Sequence, residues 1–384
     1  MKTYDLILVY WFSRVHHYYA NIIKALSSEY RIGLLLSDED NFYASRKSFR
    51  VSKQTDKQFR SLCVQFGADL IYVNEKVKGR IVILPVVGGV STEDYLSKFR
   101  GNVSWDKPIG MFFFSGSGGI GGLKNIMDMG VDKFIVPAKD ILAKRINHDG
   151  QIKEIENLDI IEMGFPYKKY PVFDNLNIDI DFLVAYPSHT HFKPGKEKDK
   201  YAFVNELYKL LKRIDTSNKI YLKRHSNSDK SQFFSSLDGG PLWFLKVAGF
   251  VASILSTLSP VYKRKLYRIA IKLKNSLIAR KYPSLEEVTQ YHNLGIELFL
   301  PHVRQGLITG NSATQFHALY SELAIYNCDP QEKDEIAALP YSAAYIVPFC
   351  NGDLAFDRSN FNRISNECKN ADIIQLIRDE LKLL

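Results

Sequence analysis

Short apolar runs alternate with helical patterns through the first half of the chain. DLILVYWF (5–12) is followed by HHYYANIIKALSSEY, where Tyr19, Ile22, Ile23 and Leu26 share one helical face, and then by RIGLLLSD (31–38). That order is a βαβ opening. ADLIYVN (68–74), GRIVILPVV (79–87), KPIGMFFFS (107–115) and VDKFIVPA (131–138) continue it. Their near-continuous apolar character suits strands buried on both faces of a parallel sheet. Around Gly164, Pro166 and Pro171 the rhythm pauses, which marks a boundary. A second series then begins with IDFLVAYPS (180–188), a long amphipathic helix KYAFVNELYKLLKRID and a strand KIYLKRH (219–225). IELFLP (296–301), GLITGNS, LAIYN and AAYIVPF read as further strands, and ADIIQLIRDELKLL as a closing helix.

The economical architecture is α/β, with two Rossmann-like doubly wound domains facing a cleft. The pattern assigns residues 1–165 to the first domain and 166–384 to the second. A length of 384 residues agrees, since one hydrophobic core stops growing well before that. The N-terminal apolar run is interrupted by Asp5 and followed by no small-residue cleavage site. It reads as a first strand rather than a signal peptide, so a cytoplasmic protein is expected. Cys63, Cys328, Cys350 and Cys368 have no metal-ligand spacing and no disulfide framework.

Charge changes the picture in one place. The net charge is +9, which asks for an anionic partner. From Gly239 to Pro283 there is no acidic residue, while Lys246, Lys263, Arg264, Lys265, Arg268, Lys272, Lys274, Arg280 and Lys281 all fall inside. PLWFLKVAGFVASILSTL (241–258) is shorter than a membrane span. VYKRKLYRIAIKLKNSLIARKY (261–282) places Tyr262, Leu266, Ile269, Leu273 and Leu277 on one helical face with cations on the other. Residues 239–283 therefore read either as an interfacial insertion on an anionic membrane or as helices packed on the protein. Aromatic and basic residues do alternate here, yet cations confined to one amphipathic helix suit lipid better than nucleic acid.

Several constellations could carry chemistry. In GLITGNSATQFHALYSELAIYN (306–327), Ser312 and Gln315 have the spacing of a capping box. Gly310 and Asn311 turn the chain sharply, so the amides of Ser312, Ala313 and Thr314 and the positive helix end could equally hold a phosphate. Lys223, Arg224 and His225 close a strand at the rim where α/β sheets bind ligands. Ser188 and His189 follow the first strand of the second domain; His189 and His191 lack the extra carboxylate or thiolate a metal site would want, so no metal is expected there. FFFSGSGGIGGLKN (112–125) is rich in glycine without a phosphate-binding fingerprint. His16 or His17, after the first strand, could act as general base, and Asp38 and Asp40 after the second strand are reserves.

With these residues in place, the chain resembles the GT-B glycosyltransferases of bacterial surface polysaccharide synthesis. It is most similar to those with cytidine-nucleotide donors: sialyl- and Kdo-transferases and CDP-glycerol glycerophosphotransferases. KRHS (223–226) is similar to their Lys/His-rich "HP" turn through His225, with Ser226 where Pro is usual. TGNSATQ (309–315) is similar to their Ser-bearing helix start, and IIEMGFP (160–166) to the "iGyPk" hinge. Where the glycerophosphotransferases carry a "WHGT" turn, FSGS (114–117) has Ser115. The resemblance implies transfer of a sugar from a CMP- or CDP-linked donor to a hydroxyl of a glycan or lipid-linked acceptor, without metal or other cofactor. It implies Ser312, His225 and Lys223 or Arg224 on the leaving group, and an enzyme peripheral to the inner face of the membrane. A UDP-sugar 2-epimerase and a non-catalytic scaffold of the same fold are the alternatives, and no nucleic acid is expected as partner.

Overall fold

The structure, a computed structural model, describes residues 1–10, 15–36, 53–72, 74–86, 101–112, 129–136, 158–162, 171–174, 179–186, 197–224, 260–281, 285–288, 291, 293–310, 314, 318, 323–328, 347–348 and 373–384. They fall into two compact units. The first comprises Met1–Leu176, Glu297–Pro301 and Asp357–Leu384; the second comprises Asn177–Ile296 and His302–Phe356.

In the first unit β1 (Lys2–Tyr10), β2 (Ile32–Leu36), β3 (Asp69–Ile71), β4 (Val77–Val86), β5 (Val103–Phe112), β6 (Lys133–Val136) and β7 (Asp159–Glu162) form one sheet. Its order is β3-β2-β1-β4-β5-β6-β7, and every pairing is parallel. β1 lies at the point where the order reverses. Leu6, Ile7, Leu8 and Val9 are fully buried in succession, as a strand covered on both faces must be. α1 (His16–Leu26) follows β1, and α2 (Lys53–Gln65) precedes β3. α1 has no side-chain N-cap bond. It is held by burial of Tyr18, Tyr19, Ile22, Ile23 and Leu26, so packing supplies what local capping does not.

The C-terminal helix α5 (Ile373–Leu383) belongs to this first unit. Ile373, Ile374, Ile377 and Leu381 are its buried stripe. Glu380 is buried among them and accepts bonds from Lys107 at 2.6 Å and Lys133 at 2.5 Å, one on each carboxylate oxygen. Arg80 donates to the Leu381 carbonyl at 2.6 Å, and Arg378 pairs with Glu29 just beyond α1. The division thus differs from the expected 1–165 and 166–384. The break falls after Leu176, and Glu297–Pro301 and the chain's end, Asp357–Leu384, belong to the first unit. The physical reason is that an amphipathic helix records that it needs an apolar partner, without recording which one.

The second unit holds β8 (Ile180–Tyr186), β9 (Ile220–Arg224), β10 (Leu285–Glu287), β11 (Val303–Thr309), β12 (Ala324–Asn327) and β13 (Val347–Pro348). The order is β10-β9-β8-β11-β12-β13, again wholly parallel. α3 (Glu197–Leu211) joins β8 to β9, and α4 (Pro260–Lys281) precedes β10. α3 buries Phe203, Val204, Leu207, Leu210 and Leu211 against Phe182, Val184 and Leu222 of the sheet. IELFLP, expected as a strand, instead forms two short 3-10 turns, Ile296–Leu298 and Leu300–His302, of which Glu297–Pro301 belong to the first unit. Leu298, Phe299 and Leu300 are all buried; a short apolar run signals burial in a turn as readily as in a strand.

Candidate functional site

In an open parallel sheet, ligands bind beyond the carboxyl ends of the strands where the order reverses. In the second unit the reversal lies between β8 and β11, with β9 on the far side of β8. Val184 of β8 is opposite Leu222 of β9 and also opposite Ile308 of β11. Two residues further on, Tyr186 is opposite Arg224, and Gly310 stands two residues beyond Ile308. The three strands therefore run out at one level. At the usual spacing of about 4.8 Å between neighbours, β9 and β11 are about 10 Å apart across β8.

The opposite edge of this sheet is pinned. Asp181, at the start of β8, accepts from the Lys219 amide at 2.8 Å before β9 and from Arg304 at 2.7 Å on β11. Burial alone would raise the Asp181 carboxyl, but these donors outweigh it and hold the group below the usual carboxylate range. The tie joins the three strands at their starts; β11 shifts register against β8 between Val303 and Gly306, and from Gly306 onward the two pair regularly toward their carboxyl ends.

Lys223 is the second-last residue of β9 and is 1% exposed. Its Nζ donates to the Arg224 carbonyl at 2.8 Å, which tethers the ammonium close to the strand's end. A buried ammonium is costly unless hydrogen-bonded or paired, and this bond meets part of that need. On β11, close approach dictates the residue type. A Cβ on Gly306 would lie 2.6 Å from the Tyr326 ring and 3.0 Å from the Ala324 carbonyl of β12. Beyond β11, Gly310 is buried, Thr314 and Ala318 are helical, and the Cys328 amide donates to the Thr309 carbonyl at 2.8 Å.

Of the residues singled out from the sequence, Lys223, Arg224, Gly310 and Thr314 are described and follow or end two of these strands. Ser188, His189, His225, Asn311, Ser312 and Ala313 lie outside the described residues; they come directly after β8, β9 and β11 in sequence. Asp38 and Asp40, just after β2, also lie outside them, and of His17 only the backbone, in α1, is described.

His16 is fully described and is not the solvent-facing group expected of a free base. It is 1% exposed, its Nε2 is 3.0 Å from the Tyr10 hydroxyl, and its ring stacks on Phe59 with centroids 4.2 Å apart. Burial pushes its pKa down to about 3, because an apolar shell penalises the imidazolium. His16 is a neutral core residue at the foot of α1. Tyr10, the last residue of β1, was not among the residues singled out. Its signal was present in the sequence as a polar aromatic closing an apolar strand.

Among the described residues no group of three His, Cys, Asp or Glu side chains is placed to hold a metal ion, and no helix is long and apolar enough to cross a membrane.

No protein-family model matches the chain, and no curated protein is detectably similar to it. Solved structures of similar course include a putative UDP-N-acetylglucosamine 2-epimerase from Listeria monocytogenes, at 9% identity and a TM-score of 0.45 over 99% of this chain and 91% of that one. An Arabidopsis thaliana UGT complexed with UDP-L-rhamnose matches at 8% identity and 0.44, over 99% and 100%. The GT-B domain of a sialyltransferase from Photobacterium damselae matches at 8% identity and 0.40, over 82% and 88%. The architecture itself rests on the two sheet orders: two Rossmann-like parallel α/β units in one chain, the two-unit composition of the GT-B fold class.

Proposed function

We propose that this protein is a glycosyltransferase that binds a nucleotide-activated sugar, CMP- or CDP-linked, at the carboxyl edge of β8, β9 and β11. The observation that carries the reading is the level ending of those three strands at the reversal of the second sheet, with Lys223 and Arg224 at one side and Gly310 at the other. Lys223, Arg224 and His225 would hold the leaving phosphate, joined by Ser312 and the amides of Asn311, Ala313 and Thr314. Ser188 and His189, after β8, would lie along the nucleotide. In the transfer, an acceptor hydroxyl oxygen bonds to the anomeric carbon as the bond from that carbon to the phosphate oxygen breaks. The bonding pair departs with the phosphate, and the hydroxyl proton goes to a base. Cations and amides aimed at the phosphate stabilise the charge that develops there. His17, Asp38 and Asp40 are the proposed bases, since a histidine as buried and weakly basic as His16 is ill suited to take that proton. The acceptor is a glycan or a lipid-linked glycan of a bacterial surface polymer.

A thermal-shift panel of CMP, CDP, UDP and GDP tests this. Cytidine nucleotides are expected to stabilise the protein, with the shift lost in Ser312→Ala and His225→Ala. Stabilisation by UDP or GDP alone would refute the cytidine donor. Conversion of a UDP-sugar to its 2-epimer without acceptor would establish an epimerase instead.

A further inference from the structure

α4 contains no acidic side chain along Pro260–Lys281. A helix that packs by an apolar stripe should bury that stripe, and this one does not. Among the described side chains of α4, Ile271 and Ser276 are buried, and Ile271 is set into the core with Phe203 and Leu207 of α3. On the same side, the Tyr267 ring lies 5.7 Å from that of Tyr201, and Lys274 sits 4.6 Å over the Tyr208 ring. The stripe formed by Tyr262, Leu266, Ile269, Leu273 and Leu277 lies elsewhere on the helix. Tyr262 remains 50% exposed and Ile269 45% exposed, and the three leucines are only half-buried. Beside them Lys265 and Lys272 are exposed, with Arg268 exposed further round the helix; Arg264, on the side of Ile271, is exposed two turns before it, and Val261 is exposed at the helix start.

The result is a platform with an open apolar flank next to a basic one. A nucleic-acid backbone or an acidic protein tail would engage the cations and leave Tyr262 and Ile269 wet. An anionic bilayer engages both, with apolar side chains at the acyl boundary and cations among the headgroup phosphates.

We propose that the outward side of α4, through Tyr262, Ile269, Lys265, Arg268 and Lys272, docks on the surface of an anionic lipid bilayer. The inference draws on the transferase reading only for its purpose, since a lipid-linked acceptor would be presented at such a surface. The full chain is to be sedimented with vesicles of phosphatidylcholine, with and without phosphatidylglycerol. Binding is expected only to the anionic vesicles. Each cation near such a surface strengthens binding roughly five-fold. Lys265→Glu, Arg268→Glu and Lys272→Glu together should weaken it by about a hundred-fold or more, and Tyr262→Ser with Ile269→Ser by roughly ten-fold or more. Tyr262→Trp, which leaves every cation in place, should show an emission that shifts to the blue on anionic vesicles, read as the difference from the unaltered protein. Equal binding to neutral vesicles, unchanged binding by either multiple variant, or no such shift in the Tyr262→Trp variant on sedimenting vesicles would overturn the proposal. Duplex RNA bound through the same cations, with no response to Tyr262→Ser and Ile269→Ser, would replace lipid with nucleic acid. The nucleotide thermal shift, measured on the same variants, is expected to persist. Its absence in the unaltered protein would count against the transferase reading and leave vesicle docking standing.

Discussion

Replacing His16 with Phe keeps an aromatic ring against Phe59 and removes the only nitrogens that can take a proton at that position. In the folded protein burial holds the His16 pKa at about 3, against an ordinary histidine value of 6.5. The folded value of this base is depressed, so as pH falls the unfolded chain takes up its proton first. The contribution of His16 is whole above pH ~6.5 and is lost as pH falls from there toward ~3, by about 1.4 kcal/mol per pH unit. At pH ~5 the loss amounts to about 2 kcal/mol. For a unit of this size that corresponds to roughly 4–8 °C in melting temperature. The melting temperature of wild type should therefore fall relative to that of His16→Phe by about that amount between pH ~7.5 and ~5, because other titrating groups cancel in the difference. A separate, pH-independent offset of about 1 kcal/mol is expected from the lost bond to Tyr10. A gap that does not change with pH, or an imidazole resonance of His16 titrating near its ordinary value, would show that burial does not hold His16 neutral and would return it to the candidate bases.

Glu380→Gln leaves Lys107 and Lys133 facing each other without the carboxylate between them. About 2 kcal/mol of destabilisation is expected after allowance for the partial exposure of both ammonium groups, with amide exchange in α5 rising before the rest of the first unit. Burial tends to raise the Glu380 carboxyl, yet the bonds from Lys107 and Lys133 hold it lowered. The difference between wild type and variant is therefore full above the ordinary glutamate range and disappears as pH falls through the lowered folded value. Gly306→Ala puts a methyl group against the Tyr326 ring and the Ala324 carbonyl; about 1–3 kcal/mol should be lost on thermal denaturation, and a silent substitution would mean that β11 and β12 are not so closely paired. Lys223→Met keeps the buried stem and removes the ammonium. Nucleotide affinity by calorimetry should fall roughly 10- to 100-fold, with an unchanged Kd excluding Lys223 from the phosphate site.

The strands were legible because each is a compact apolar run. RIGLLLSD contains Ile32–Leu36 and KIYLKRH contains Ile220–Arg224, since a strand buried on both faces has few ways to be written. Leu285–Glu287 could not be read that way: it is a three-residue edge strand with two acidic residues, held by pairing with β9. The basic helix was legible in extent, but its buried side was not. Ile271 packs while the longer stripe through Tyr262 and Ile269 does not, because the partner surface on α3 decides which residues go inward. His16 shows the same limit at the site. Position after the first strand marks a histidine as available to chemistry, whereas Tyr10 and Phe59, which enclose it, come from two different segments. Lys223 and Arg224 were legible as a strand end, and the common level of β8, β9 and β11 came only from the register.

Hydrogen exchange of the full chain with and without CMP or CDP locates the nucleotide. Protection on binding is expected in 187–190, 222–226 and 309–314, the stretches at and beyond the ends of β8, β9 and β11, and should be lost in Lys223→Met. Protection that leaves these three stretches unchanged, or that appears equally in Lys223→Met, would contradict the account.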